Sequence, residues 1–150
     1  LKGDSHGLTG GLNGEVALAD YRHQEAQAWL RWESAEGGAA GYLRGEAAPG
    51  SEGPYWRLPA VGGGLTLRHG AVAQFRDEAL AAAILEWRIR PAAMFGGVIF
   101  AEAALAKGAH GGGGAGVRLR LPPRPNNTVR LDVAWGDGGL GLSAGWGEAF

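Results

Sequence analysis

Two short stretches have the spacing of catalytic motifs. Residues 141–145 read GLSAG and fit the G-x-S-x-G nucleophile elbow, while residues 111–116 read GGGGAG and fit the G-x-G-x-x-G dinucleotide fingerprint. The elbow needs a helix after its Ser, then an acid and a His further along the chain. Only five residues follow Gly145, and no His follows Ser143. The fingerprint must open a helix, whereas VRLRLPP follows Gly116 and reads as a strand ending in prolines. These glycines suit strand curvature and turns. The histidines, His6, His23, His69 and His110, have no metal-ligand spacing. There is no cysteine, so thiolate nucleophiles, thiolate metal sites and disulfides are absent. The expectation is a protein that is not an enzyme and carries no catalytic residue, metal or cofactor.

The chemistry in this chain lies in its charge alternation. In TVRLDVAW, Val129, Leu131, Val133 and Trp135 alternate with Thr128, Arg130, Asp132 and Ala134. Side chains along a strand point to opposite faces, so this is a two-faced strand. GVRLRLP repeats the pattern, with Val117, Leu119 and Leu121 against Arg118 and Arg120, and the last run sets Leu140, Leu142, Ala144 and Trp146 on one side. DEALAAAILEW is composed of strong helix formers with Asp77 placed as a cap. Period two still reads through it, with Leu85, Trp87 and Ile89 against Ile84, Glu86 and Arg88.

This reading gives strands over roughly 8–21, 24–33, 39–48, 79–90, 93–106, 111–121, 128–136 and 139–150. Gly, Pro, Asn and Asp supply the connections, and the longest connection covers about 49–78. The 150 residues suit one domain, and the net charge of −1 gives no field to recruit nucleic acid. Gly, at 29 residues, is far above the usual ~7%. The longest uncharged apolar run, residues 91–101, is well short of the ~20 residues of a spanning helix.

Opposite the apolar faces lie Glu15, Arg31, Glu33, Arg44, Glu46, Glu86, Arg88, Glu102, Arg118, Arg120, Arg130 and Asp132, six acids balanced by six arginines and no lysine. Arginine pairs bidentately with carboxylates and dehydrates at lower cost than lysine. A soluble sheet would turn these groups to water. A membrane barrel turns its apolar face to lipid and its polar face to the lumen, and a narrow eight-strand lumen is filled by side chains. The missing lysine favours the barrel. Trp32, Trp87, Phe95, Trp146 and Phe150 then fall at one rim and Trp135 at the other, as interfacial aromatics do. The expected fold is all-β, an eight-stranded antiparallel transmembrane β-barrel over residues 1–150, with the 49–78 loop on the side opposite the termini.

From about Gly62 to Phe150 the chain resembles the bacterial surface antigen family, the BamA-type outer-membrane assembly and two-partner-secretion barrels. GGGLTLRHG is similar to the family's long extracellular loop, QFRDEALAAAILEWRIRP to the loop exit and next strand, and GVIFAEAALAKG to the strand after it. The segment from Gly114 onward looks like the final three strands, and the ending GEAF looks like the terminal assembly signal, carried here by Gly147 and Phe150. The family loop continues with Gly and an aromatic after its Arg, where this chain has His69 and Gly70 after Arg68. The family barrel has sixteen strands behind periplasmic repeats, so the resemblance covers its C-terminal half.

The resemblance implies an outer-membrane location and a role in inserting or translocating polypeptides. It also implies that Arg68 meets acids inside the barrel, with Glu86, Glu102 and Asp132 as receivers. Expected partners are the lipid bilayer, the outer-membrane assembly machinery, and client β-strands or a second copy of the chain at the seam between the first and last strands; nucleic acid is not among them. Rival expectations are a structural or pore-like barrel module, a protomer of a two-chain sixteen-strand ring, and a small outer-membrane lipid hydrolase using Ser143.

Overall fold

The computed structural model describes residues 7–17, 23–34, 38–50, 54–63, 66–89, 94–121 and 127–147, with the side chains of 8–17, 23 and 24 left aside. Phe150 and the end of the first expected strand lie outside the described residues.

The protein is all-β. Its strands are β1 (Gly7–Ala17), β2 (His23–Glu33), β3 (Gly38–Ala47), β4 (Ala60–Val61), β5 (Phe75–Arg76), β6 (Ala79–Ile89), β7 (Phe95–Leu105), β8 (Ala109–Arg120), β9 (Thr128–Gly136) and β10 (Gly139–Trp146). Eight of them form one sheet in the order β1-β2-β3-β6-β7-β8-β9-β10, and β4 pairs with β5 in a small hairpin. Every neighbouring pair is antiparallel. Among the described residues no pairing joins β1 to β10, so the expected closure of the sheet is not seen and both strands are edges.

The observed limits lie within a few residues of those read from period two. The helix-forming DEALAAAILEW enters the strand β6 from Ala79 onward, because pairing with β3 and β7 satisfies its backbone on both sides. The 49–78 connection is more than a loop: it carries the β4–β5 hairpin and a single 3-10 turn at Tyr55–Arg57.

Burial along the strands is inverted relative to a soluble sheet. On β6, Glu86 is 1% exposed while its neighbours Leu85 and Trp87 are 57% and 55% exposed. On β9, Arg130 and Asp132 are buried, and Leu131, Val133 and Trp135 are exposed. Leu43, Ile99, Val117, Leu142 and Trp146 share the exposed face. The covered face is not wholly polar. Val61 and Leu67 from the long connection pack on Leu80, Ala82, Ala104 and Ala106, with Phe75 against them, and Val98, Phe100 and Ala134 form a second small cluster. Full burial of residues such as Val61 and Leu67 stabilises by roughly 1.5–3 kcal/mol each. The connection between β3 and β6 therefore folds back onto the charged face and covers it.

The chain contains no cysteine, so introduced thiols report the two faces without background. Leu85→Cys and Val133→Cys are expected to react with an uncharged maleimide in the folded protein, and Ala82→Cys and Ala134→Cys only after denaturation. The opposite pattern would overturn the inversion.

Candidate functional site

The site is where the long connection meets the covered face. Arg68 is fully buried, and its guanidinium pairs with Glu86 of β6 and, at 3.5 Å, with Asp132 of β9. Its ring of contacts includes Phe100 of β7, 4.0 Å below the guanidinium carbon. A cation over an aromatic face adds an attraction that strengthens when water is excluded. Glu86 and Asp132 stand on strands separated by two others. Neighbouring strands lie about 4.8 Å apart, so one guanidinium serving both, with all three side chains sealed from water, means that the sheet curls around the connection with its charged face inward.

The remaining arginines complete the cluster. Arg88 donates to Glu86 at 2.8 Å and to Glu33 of β2 at 2.7 Å. Arg118 and Arg130 lie directly opposite each other in register, which would be repulsive alone. Asp132 sits between them, accepting from Arg118 and, at 3.3 Å, from Arg130. Arg120 lies at the end of β8, half-buried, its backbone N–H donating to the Met94 carbonyl.

Glu102 differs from expectation. It receives the backbone of the connection rather than the Arg68 guanidinium: one carboxylate oxygen accepts from the N–H of Arg68 at 2.7 Å and of His69 at 3.1 Å, and faces His69 Nδ1 at 2.6 Å. His69 Nε2 faces Asp137 at 3.1 Å, and the other Asp137 oxygen faces His110 Nδ1 at 2.6 Å. Phe75 stacks on the His110 ring at 3.6 Å. These contacts clamp the connection to the rim formed by the β7–β8 and β9–β10 turns.

The glycines make room for this arrangement. A Cβ at Gly112 would stand 2.6 Å from His69 Nδ1, and one at Gly136 would stand 2.8 Å from Nε2. Gly141 of β10 lies so close to the Arg68 carbonyl that a side chain could not fit there. A buried ring or carbonyl can approach the sheet this closely only where Cβ is missing. GGGGAG is thus part of the inner wall in β8.

His69, His110, Asp137 and the wall glycines were missed by sequence reasoning. Two signals were present: a His directly after Arg68 in the long connection, and glycines at 112, 114 and 116, on the parity of Arg118. Ser143 faces inward with its hydroxyl unpartnered among the described residues. Both His69 nitrogens face carboxylates, and those of His110 face Asp137 and the Ala106 carbonyl, so neither ring is paired with Ser143. No group of described residues has the arrangement of a metal site.

Of the aromatics expected at the rims, Trp87, Phe95, Trp135 and Trp146 are exposed on the outer face, Trp32 is half-buried across Gly41, and Phe150 lies outside the described residues. The register sets Trp32, Trp87, Phe95 and Trp146 near one end of the sheet and Trp135 at the other. Gly147, the described part of the expected terminal signal, has φ +83° and donates its N–H to the Thr128 carbonyl at 2.7 Å. No family model, curated protein or solved structure matches the chain.

Two predictions follow from this geometry. Arg68→Ala leaves Glu86 and Asp132 buried with fewer partners and is expected to destabilise the fold by about 3–5 kcal/mol, read by denaturant unfolding. Arg68→Lys should not restore it, because a single ammonium lacks the fork that reaches both carboxylates. The second concerns acid. The hydrogen bond from His110, followed by those from the Gly111 backbone and His69, lowers the Asp137 pKa from 3.8 to about 2. A carboxyl depressed by folding stabilises above its unfolded value and loses that contribution as pH falls through its folded value. Thermal stability should therefore fall more between pH 4 and pH 2 in the parent than in Asp137→Asn; equal slopes would overturn the assignment.

Proposed function

We propose that this chain is an outer-membrane β-barrel protein, akin to the C-terminal half of the bacterial surface antigen barrels, and that it works in inserting or translocating polypeptides. The observation that carries the reading is the inverted burial. Soluble monomers rarely expose contiguous apolar patches beyond a few hundred Å², yet Leu43, Leu85, Trp87, Ile99, Val117, Leu131, Val133, Leu142 and Trp146 all point outward here. Lipid is the solvent that suits such a face, and paired arginines and carboxylates suit a lumen.

Dimensions agree. From Phe95 to Leu105, both outward, ten steps at about 3.4 Å cover about 34 Å along the strand, or about 24 Å at a 45° tilt. That equals the apolar band of outer-membrane barrels, about 25 Å. The aromatics take the rims as lipid-interface residues. Arg68, Glu86, Arg88, Glu102, Arg118, Arg130 and Asp132 act as the lumen network holding the extracellular loop inside. The activity rests on the two unpaired edges. A strand edge offers unpaired N–H and C=O groups to an incoming strand, and β1, with Gly7, Gly10, Gly11 and Gly14, pairs weakly enough to exchange partners.

The test has two stages. Folded into detergent, the protein is expected to migrate as a compact species until heated; a chain soluble without detergent would overturn the membrane reading. Leu131→Arg should cost about 2–4 kcal/mol in lipid and little in a water-facing site. Co-reconstituted with an unfolded outer-membrane barrel in vesicles, it should accelerate that client's folding. Equal rates with and without the protein would leave a structural barrel module.

A further inference from the structure

We infer that the covered face binds one small monovalent anion, of the class of chloride, between Arg68, Arg130 and Ser143. The inference goes beyond the membrane reading and does not rest on it, because it uses the buried cluster alone. Asp132 is the shared acceptor of that cluster. Its Oδ2 takes Arg68 at 3.5 Å and Arg130 at 3.3 Å. Charge-assisted N–H···O contacts usually close to about 2.7–2.9 Å. Two guanidiniums thus crowd one oxygen, and neither is held there at full strength. Arg68 has a second carboxylate in Glu86, which Arg88 also uses. Arg130 is 7% exposed and has no second carboxylate among the described residues. Glu102, the other buried acid nearby, is taken by the backbone of Arg68 and His69 and by the His69 ring. A buried cation is costly unless enough negative charge reaches it.

Three buried donors beside that oxygen have no protein acceptor among the described residues: Arg68 Nε, Arg130 Nε and the Ser143 hydroxyl. The register gathers them. On β10, Ser143 stands opposite Asp132 and Gly145 opposite Arg130. A Cβ at Gly145 would lie 2.6 Å from Arg130 Nε and 3.2 Å from its Cζ, so the guanidinium rests on the inner face of β10 at that point. Gly141 lies under the Arg68 carbonyl. Residues 141, 143 and 145 share one face of the strand, which sets Ser143 between the two arginines. A guanidinium N–H can only donate, and Asp132 is already shared. The three donors lack an acceptor, and Arg130 lacks negative charge. One anion supplies both. Enclosure sets its size. The Arg68 and Asp132 side chains have no exposure, and Phe100 covers the Arg68 guanidinium at 4.0 Å. A single spherical ion is satisfied by these donors, whereas a tetrahedral oxyanion would bury further oxygens with nothing to donate to them.

The test is urea unfolding of the full chain while sodium chloride replaces sodium gluconate at constant ionic strength. It is run in detergent, or in buffer if the chain proves soluble there, so its result is separate from that of the membrane reading. An ion bound only by the folded state raises stability with its concentration. Above the dissociation constant, each tenfold rise in chloride should shift the folding equilibrium about tenfold. Arg130→Gln should abolish this dependence. Ser143→Ala removes only an unpartnered hydroxyl, so it should fold and need more chloride for the same effect. Arg31→Gln alters an arginine of the same face whose side chain is 37% exposed, and it should keep the parent's dependence. Equal stability in chloride and gluconate would overturn the inference and leave the three donors to water. So would a chloride dependence that survives unchanged in Arg130→Gln and Ser143→Ala. If Arg130→Gln does not fold, the shift in Ser143→Ala decides alone.

Discussion

A guanidinium sealed from water needs carboxylates around it, and that requirement organises this protein. Arg68 has no exposure, and its charge is met by Glu86 and Asp132 on strands that are not neighbours. Unpaired, such a charge would cost several kcal/mol. The sheet must therefore bend until β6 and β9 both reach the same group. Once bent, it presents its charged parity to the inside, and every apolar position between the charges is turned outward. The outer face of Leu85, Trp87, Leu131 and Val133 is thus the geometric complement of the inner ion pairs rather than a separate feature.

Space is the second constraint. A curled sheet that takes in a backbone segment must lose side-chain volume where the segment touches it. Gly112, Gly136 and Gly141 are such points, against the His69 ring and the Arg68 carbonyl. The high glycine content belongs to this contact as much as to turns. Glu102 and Asp137 then hold the same segment by its backbone and by its histidine. The connection is bound by charge, by small apolar clusters beneath it, and by fit.

Much of the fold was legible because strand periodicity is local. The alternation in TVRLDVAW needs no knowledge of what pairs with what, and β9 runs over Thr128–Gly136 as the pattern implies. DEALAAAILEW shows where local preference yields: its Ala, Leu and Glu residues favour a helix, and the backbone partners supplied by β3 and β7 outweigh that preference. The site was legible in part. Arg68 and its receivers Glu86 and Asp132 could be named from charge parity and the loop resemblance. The division of labour among the acids could not, since whether Glu102 meets a guanidinium or a backbone N–H depends on the depth to which the connection descends. Asp137 sits in the β9–β10 turn and His110 at the very start of β8, where a lone polar residue is ordinary and carries no periodic signal.

The sequence by itself determined the strands, their two faces, and the equality of arginine and carboxylate on one of them, because these follow from order and parity along a single chain. Tertiary structure alone decided that the charged face is the covered one, which of the candidate acids meet the Arg68 guanidinium and which its backbone, and why His69 lies between Glu102 and Asp137. Residues 69, 102 and 137 share no local pattern; only the curl of the sheet and the return of the β4–β5 connection bring them within hydrogen-bond reach, and burial makes each polar group dependent on the others.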